Sequence, residues 1–203
     1  MEREAAIFRL RQLEGVDLHA IAKQLGVTVR TPIGSVNKGW AGHVCERHLG
    51  LPLNSAQSPN FGSWELKVVP VKRLANGSLA YKETMAITMI DPVHVSVNPF
   101  ETSHVLTKLR KFVLVAREVG TSVDAPSFVY RVSPIDLSDA MMATVRRDYE
   151  AVRSCILDAN RGFSWLTGGM GTYIQPRTKG AGHGSTSRAF YARTQFLQAV
   201  APL

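Results

Sequence analysis

The stretch Pro59-Asn60-Phe61-Gly62-Ser63-Trp64-Glu65-Leu66-Lys67 opens the most informative strand of this 203-residue chain. Side chains alternate across a strand, so Glu65 and Lys67 project from one face while Trp64, Leu66 and Val68 point to the other. The alternation continues to Val71 and implies a strand with one face in a core. A carboxylate and an ammonium on the opposite face suit metal-assisted phosphodiester hydrolysis. The carboxylate would hold a divalent ion that polarises the phosphate, and the lysine would position water and balance developing charge. A surface ion pair on an edge strand has the same sequence, so the triplet alone does not decide.

Outward from that strand, the chain alternates helical and extended patterns. Ala6, Ile7, Leu10 and Leu13 fall at helical spacing over residues 3–15, and Asp17 is placed to cap a second helix through Leu25. A third helix is expected from Asn37, as cap, to Leu49. The turn Asn76-Gly77 leads to a returning strand over Thr84–Ile90, a hairpin-like partner for the first. Further strands are expected over 111–118 and 127–132, then a long helix capped by Ser138 or Asp139 and running towards Ala159. The end offers strands near 173–175 and 189–192 and a closing helix. The pattern is α/β with a central mixed sheet flanked by helices. Leu18–Val27 reads like the first half of a helix-turn-helix, but Pro32 and Gly34 spoil the recognition helix that should follow.

Composition narrows the function classes. Hydrophobic residues at 45% and charged residues at 20% are those of a globular domain and exclude general disorder. Two cysteines, Cys45 and Cys155, are too few for a zinc ribbon or a disulfide framework and are expected as buried thiols in a reducing compartment. His43, His48, His94 and His183 form no credible metal set by spacing. The start carries charges of both signs and no apolar export segment, and apolar runs such as Phe112–Ala116 are too short to span a bilayer. A cytoplasmic location is therefore expected. Net charge is +8, and after Asp158 come Arg161, Arg177, Lys179, Arg188 and Arg193 with no acidic residue to offset them. Such a tail suits a polyanion, most often nucleic acid.

Four ordered motifs carry a resemblance that runs nearly end to end. Asn37-Lys38-Gly39-Trp40-Ala41-Gly42, followed by Glu46 and Leu49-Gly50, is one. Glu65-Leu66-Lys67 with Pro70-Val71 is the second, and Glu101-Thr102-Ser103-His104-Val105 with Lys108-Leu109 the third. The fourth joins Tyr173-Ile174-Gln175, Arg177 and Lys179 to Arg188-Ala189-Phe190-Tyr191. Together they resemble the MutH family, the strand-nicking endonucleases of methyl-directed mismatch repair and their restriction-enzyme relatives in the PD-(D/E)xK superfamily. The resemblance implies a restriction-endonuclease-like fold in a single domain over 1–203. Its two lobes would form a DNA cleft, a catalytic lobe over roughly 1–110 and a DNA-reading lobe over roughly 111–203. It implies a Mg²⁺-dependent, sequence-specific endonuclease, with Mn²⁺ as a substitute, nicking or cutting duplex DNA at a short site such as unmethylated GATC. A MutL-type activator, a monomer in solution and a bacterial or phage-like, nucleoid-associated setting go with it.

Residue by residue, the resemblance makes Glu46, Asn60, Glu65, Lys67 and Lys108 the catalytic set. The metal would be held by position 60, Glu65, the Leu66 carbonyl and Glu46. Lys38, His104, Arg177, Thr178, Lys179, Gly180, Arg188 and Tyr191 would contact DNA, with Tyr191 near the adenine whose methylation is sensed. Arginine reads guanine in a bidentate manner, and an aromatic hydroxyl can sense an exocyclic amine. Plainer roles are an exposed helix acid for Glu46, a core aromatic for Tyr191 and simple phosphate contacts for the basic residues.

Two departures from the family pattern matter. Asn60 stands where the family has aspartate, and no acid lies between Glu46 and Glu65 to replace it. A neutral amide removes one negative charge from a divalent-cation site, so cleavage is expected to be impaired. Either an introduced substitution or a naturally non-cleaving, DNA-binding relative would account for it, and the intact Glu65, Lys67 and Lys108 favour the former. The second departure is the glycine-rich segment Gly180–Ala189, with Thr178 between the basic residues where the family has proline. It lies in the base-reading region, so the recognised site need not be GATC. A small type II restriction enzyme with another site is the alternative.

Overall fold

The computed structural model describes residues 1–51, 62–180 and 186–203; Asn60 and His183 lie outside them. The chain forms two compact units, each assembled from separated segments: 1–83 with 112–135, and 84–111 with 136–202. The lobe boundary drawn near residue 110 follows chain order, whereas the units interleave. Residues 84–111 belong with the C-terminal segment, and the strands after them return to the first unit.

The first unit holds a four-stranded sheet in the order β2-β1-β4-β5, built from Leu79–Tyr81, Glu65–Arg73, Lys111–Val119 and Ser127–Asp136. β1 runs parallel to β4, pairing Glu65 with Phe112 and Leu66 with Val113, and antiparallel to β2. The sheet is mixed, as expected. β4 is buried from Phe112 to Ala116 on both faces, as a central strand must be. One face packs against α1 (Arg3–Arg11), α2 (Leu18–Gln24) and α3 (Trp40–His48). Leu10, Leu18, Val44, Cys45, Trp64, Leu66 and Val113 share that core. Asp17 caps α2 as expected, accepting from the His19 N–H at 3.1 Å. Asn37 does not cap α3: the helix begins at Trp40. The Asn37 side chain instead ties the preceding turn, accepting from Gly39 N–H at 3.1 Å and donating to the Thr28 carbonyl at 2.9 Å.

The hairpin return differs from expectation. β2 is the short partner reached through Asn76-Gly77, where Gly77 has φ +83° and Asn76 Oδ1 accepts from the Ser78 N–H at 3.1 Å. The strand expected over Thr84–Ile90 is β3, Met85–Met89, and it joins a separate sheet. That sheet, in the second unit, is antiparallel in the order β3-β7-β6, with β6 Ile174–Thr178 and β7 Arg188–Ala192. Two short helices not foreseen, α4 (Pro92–Val97) and α5 (His104–Leu109), follow β3. They are six residues each, too short to show a helical period in the sequence. The long helix α6 (Asp139–Leu157) is capped by Ser138 and buries Val145, Tyr149 and Val152. α7 (Thr194–Val200) closes the unit.

Candidate active site and nucleic-acid interface

Glu65 and Lys67 stand two residues apart on β1, and the Lys67 ammonium lies 2.9 Å from Glu65 Oε1. Their side chains are only 3% and 14% exposed, which rules out the surface-pair reading. Leu66, between them, turns to the helical core. A buried ion pair carries a desolvation cost, and such pairs cluster at functional sites. α3 packs on the opposite face of β1 through Val44 and Cys45, and the next residue, Glu46, is half-buried on that helix. Lys38 is exposed just before α3. Burial pushes the Cys45 thiol up to about 12, with Glu46 adding to the effect and Arg117 opposing it.

The donors fit a divalent cation in kind. Glu65 offers a buried carboxylate and Leu66 a main-chain carbonyl, both hard oxygens. Mg²⁺ commonly takes one or two protein carboxylates and completes its shell with water and substrate phosphate. Among the described residues no three His, Cys, Asp or Glu side chains cluster as a closed metal cage.

The second unit holds the remaining candidates. Lys108, on α5, is 7% exposed, and His104 at the start of that helix stacks on His94 with ring centroids 4.0 Å apart. Burial lowers the His104 pKa, and the neighbouring His94 and Lys108 add to this against Asp91. On the sheet, the β6–β7 register sets Gln175 opposite Tyr191 and Arg177 opposite Ala189, so Arg177 and Tyr191 lie diagonally on one face. The Arg177 guanidinium sits 5.7 Å from the Tyr191 ring and donates to Thr84 Oγ1 at 2.8 Å. The sheet therefore brings together two of the expected DNA-contacting residues and adds Thr84, which the sequence did not single out. Thr178, Lys179 and Gly180 are exposed where β6 ends, and the Lys179 N–H bonds the Ser187 carbonyl at 2.8 Å. Arg188 has a structural part: it donates to the carbonyls of Phe163 and Ser164, at 3.3 and 3.2 Å, and to Thr178 Oγ1 at 3.3 Å.

Three further residues explain how β6 is held. Asp148, 5% exposed on α6, accepts the N–H groups of Thr172, Tyr173 and Ile174 at 2.8, 2.6 and 2.9 Å. Gly171 precedes them at φ +76°, where a Cβ would lie 2.0 Å from the Ile174 carbonyl oxygen. Arg193 donates to the carbonyls of Gly168 and Met170. The glycine-rich segment 168–171 is thus the turn that delivers Arg177. A carboxylate at position 148, between the apolar Val145 and Tyr149, was the signal available in the sequence.

The family model described as DNA mismatch repair enzyme MutH matches residues 49–148, which include Glu65, Lys67, His104 and Lys108. The DNA mismatch repair protein MutH of Haemophilus ducreyi is 28% identical over 205 aligned residues, covering 93% of this chain and 88% of that protein. The chain is similar to the MutH family, whose model covers just under half of it. The Vibrio cholerae MutH protein is 25% identical over 98% of this chain and 94% of its own length. The type II restriction enzyme Sau3AI of Staphylococcus aureus is 29% identical over 77% of this chain, which spans 32% of that enzyme. The relatives it resembles are DNA mismatch repair proteins and a type II restriction enzyme, and its own fold is mixed α/β, as expected. A solved complex of restriction endonuclease MvaI with cognate DNA aligns loosely, with a TM-score of 0.38 at 11% identity, over 90% of this chain and 94% of that one. The MutH family match ends before β6, so Arg177 and Tyr191 lie beyond it.

Proposed function

We propose that this chain is a divalent-metal-dependent endonuclease that binds duplex DNA and nicks or cuts it at a short sequence, with Mg²⁺ as the natural ion and Mn²⁺ as a substitute. The observation that carries the reading is the buried Glu65–Lys67 pair on one face of a core strand. Glu65 and the Leu66 carbonyl would hold the ion together with position 60, with Glu46 on the adjoining helix contributing negative charge. The bound ion supplies Lewis-acid polarisation of the phosphate and a more acidic water. Lys67 donates hydrogen bonds to the water and to a phosphate oxygen, and its charge opposes the negative charge that grows as the P–O bond breaks. Lys108 is the second lysine assigned to the scissile phosphate. Water attacks phosphorus and the 3′ oxygen leaves with a proton, giving 5′-phosphate and 3′-hydroxyl ends.

Arg177 supplies a planar fork suited to guanine O6 and N7, steadied by Thr84 and Tyr191, whose hydroxyl is suited to an adenine amine. Lys38, His104, Thr178, Lys179 and Gly180 are assigned to the DNA backbone and groove, and Arg188 to the support of that loop. Unmethylated GATC is the first site to test. Asn60, one charge short of aspartate, leaves the chain able to bind DNA and poor at cutting it.

A mismatch-repair nickase, monomeric and activated by a MutL-type partner in a bacterial or phage-like cytoplasm, is favoured by the 88% coverage of a MutH protein. The similarity to Sau3AI supports a restriction enzyme as the second reading. The test compares this chain with its Asn60→Asp variant on an unmethylated GATC-rich plasmid with Mg²⁺, with and without a MutL-type activator. The variant alone should cut. Nicking that needs the activator selects the repair reading, and unaided double-strand cutting selects restriction. If neither protein cuts that plasmid or mixed genomic DNA, the endonuclease reading fails for this chain.

A further inference from the structure

A second candidate site lies wholly within the first unit. A cavity of about 180 Å³ opens under the loop between β4 and β5. Arg117, near the end of β4, forms part of its wall, with Trp40, His19, Ser127, Lys82 and Glu83. Thr121 and Ser122 of the loop also line this space, the Ser122 hydroxyl accepting from the Ala125 N–H at 3.2 Å. Gly120 makes the loop close enough to shape it, since a Cβ there would lie 2.5 Å from the Ala125 Cβ.

The guanidinium of Arg117 is held in place but not neutralised. It lies 5.1 Å from the Trp40 ring centroid and donates to Ser127 Oγ at 2.7 Å. Ser127 is its one hydrogen-bond partner among the described residues. Guanidinium carries five N–H donors in a planar fork, so most of them are uncommitted. Burial draws the Arg117 pKa below its ordinary value, while the charge of Glu83 acts in the opposite direction. Lys82 and Glu83 are both exposed at the rim, and with Arg117 they leave the lining with a net positive charge. His19 is anchored away from competition with a ligand, its Nδ1 3.3 Å from Asp17 Oδ1 and its Nε2 3.0 Å from the Val123 carbonyl. A fixed, half-buried guanidinium with uncommitted donors beside an aromatic wall and a rim lysine matches a tetrahedral oxyanion.

We propose that this cavity is a phosphate-binding site, in which Arg117 and Lys82 hold the oxyanion of a phosphate ester against Trp40 and the β4–β5 loop. Its space exceeds that of the bare ion and leaves room for the esterified group. The same chemistry would serve a free phosphomonoester or one backbone phosphate of a nucleic acid. The proposal does not depend on cleavage at Glu65 and Lys67.

The test titrates the full chain with inorganic phosphate, and separately with deoxyadenosine 5′-monophosphate, at constant ionic strength. The Trp40 indole N–H and the Arg117 Nε–H are followed by NMR. Saturable shifts are expected, absent with chloride. Arg117→Lys, which keeps charge and length but loses the fork, should weaken binding about tenfold. Lys82→Met, at an exposed position that does not threaten folding, should weaken it severalfold. In parallel, the salt dependence of duplex-DNA binding is measured for the parent chain and Lys82→Met. A fall in the slope of about one ion, the change expected when one phosphate contact is lost, assigns the site to a backbone phosphate. An unchanged slope with lost phosphate binding assigns it to a free ester. Absence of saturable shifts together with an unchanged slope overturns the proposal, as does phosphate affinity that neither substitution alters.

Discussion

Replacing Asp148 by asparagine should loosen the strand that carries Arg177. Oδ1 accepts the Thr172 N–H, and Oδ2 accepts those of Tyr173 and Ile174. An amide keeps one acceptor, so its cheaper orientation preserves the two bonds at Oδ2 and sets an NH₂ group against the Thr172 N–H. The two preserved bonds also lose their charge assistance. Hydrogen bonds to a charged acceptor contribute about 1.5–3 kcal/mol each and neutral ones about 1 kcal/mol. Burying a neutral amide is easier than burying the carboxylate, which is 5% exposed, and offsets part of the loss. The net expectation is destabilisation by about 2–3 kcal/mol, with Asp148→Ala somewhat worse. For a chain of this size that lowers Tm by roughly 4–12 °C. Urea unfolding followed by circular dichroism and by tryptophan fluorescence gives the free energy, provided the two probes coincide. Asp148→Asn should also weaken DNA binding, because β6 sets the position of Arg177. A variant within about 0.5 kcal/mol of the parent would refute the reasoning.

Three other outcomes follow from the same geometry. Burial raises the Asp17 pKa, but the hydrogen bonds from the Ser127 and His19 N–H groups and the His19 ring outweigh it, so the folded value lies below the ordinary one. Its contribution is therefore present above the unfolded value of about 4 and disappears as pH falls through the lower folded value, and Asp17→Asn should flatten the urea midpoint across that acid window. His104 should titrate below about 6.5 by NMR, and His94→Gln should move its midpoint upward; an unchanged midpoint would contradict the role given to the stacked ring. Because burial raises the Cys45 thiol to about 12, Cys45 should react with an aromatic disulfide only when the chain is unfolded, and rapid labelling of Cys45 in the native protein would be the contrary result.

What the sequence made legible is what short-range periodicity controls. Glu65 and Lys67 meet because strand side chains alternate, and Asp17 and Ser138 cap helices where polar residues precede apolar stripes. The two buried thiols followed from composition. The interleaved units were not legible, because no local signal tells β3 to leave the β1–β2 hairpin for a sheet completed by β6 and β7, about 90–100 residues downstream. Thr84 escaped notice for the same reason: its partner Arg177 is 93 positions away. The motif resemblance points Arg188 at DNA, while its forked geometry engages carbonyls of the 3₁₀ turn Phe163–Trp165.

The most direct measurement of the central claim is single-turnover cleavage of a duplex carrying the recognised site by Asn60→Asp, alone and combined with Glu65→Gln or Lys67→Ala. DNA affinity is measured alongside, in the absence of divalent ions. If the β1 pair is the catalytic centre, each added substitution lowers the cleavage rate by about 10²–10³-fold or more, while affinity stays within severalfold. Cleavage that survives both additions unchanged would place the chemistry elsewhere in the chain and contradict the account.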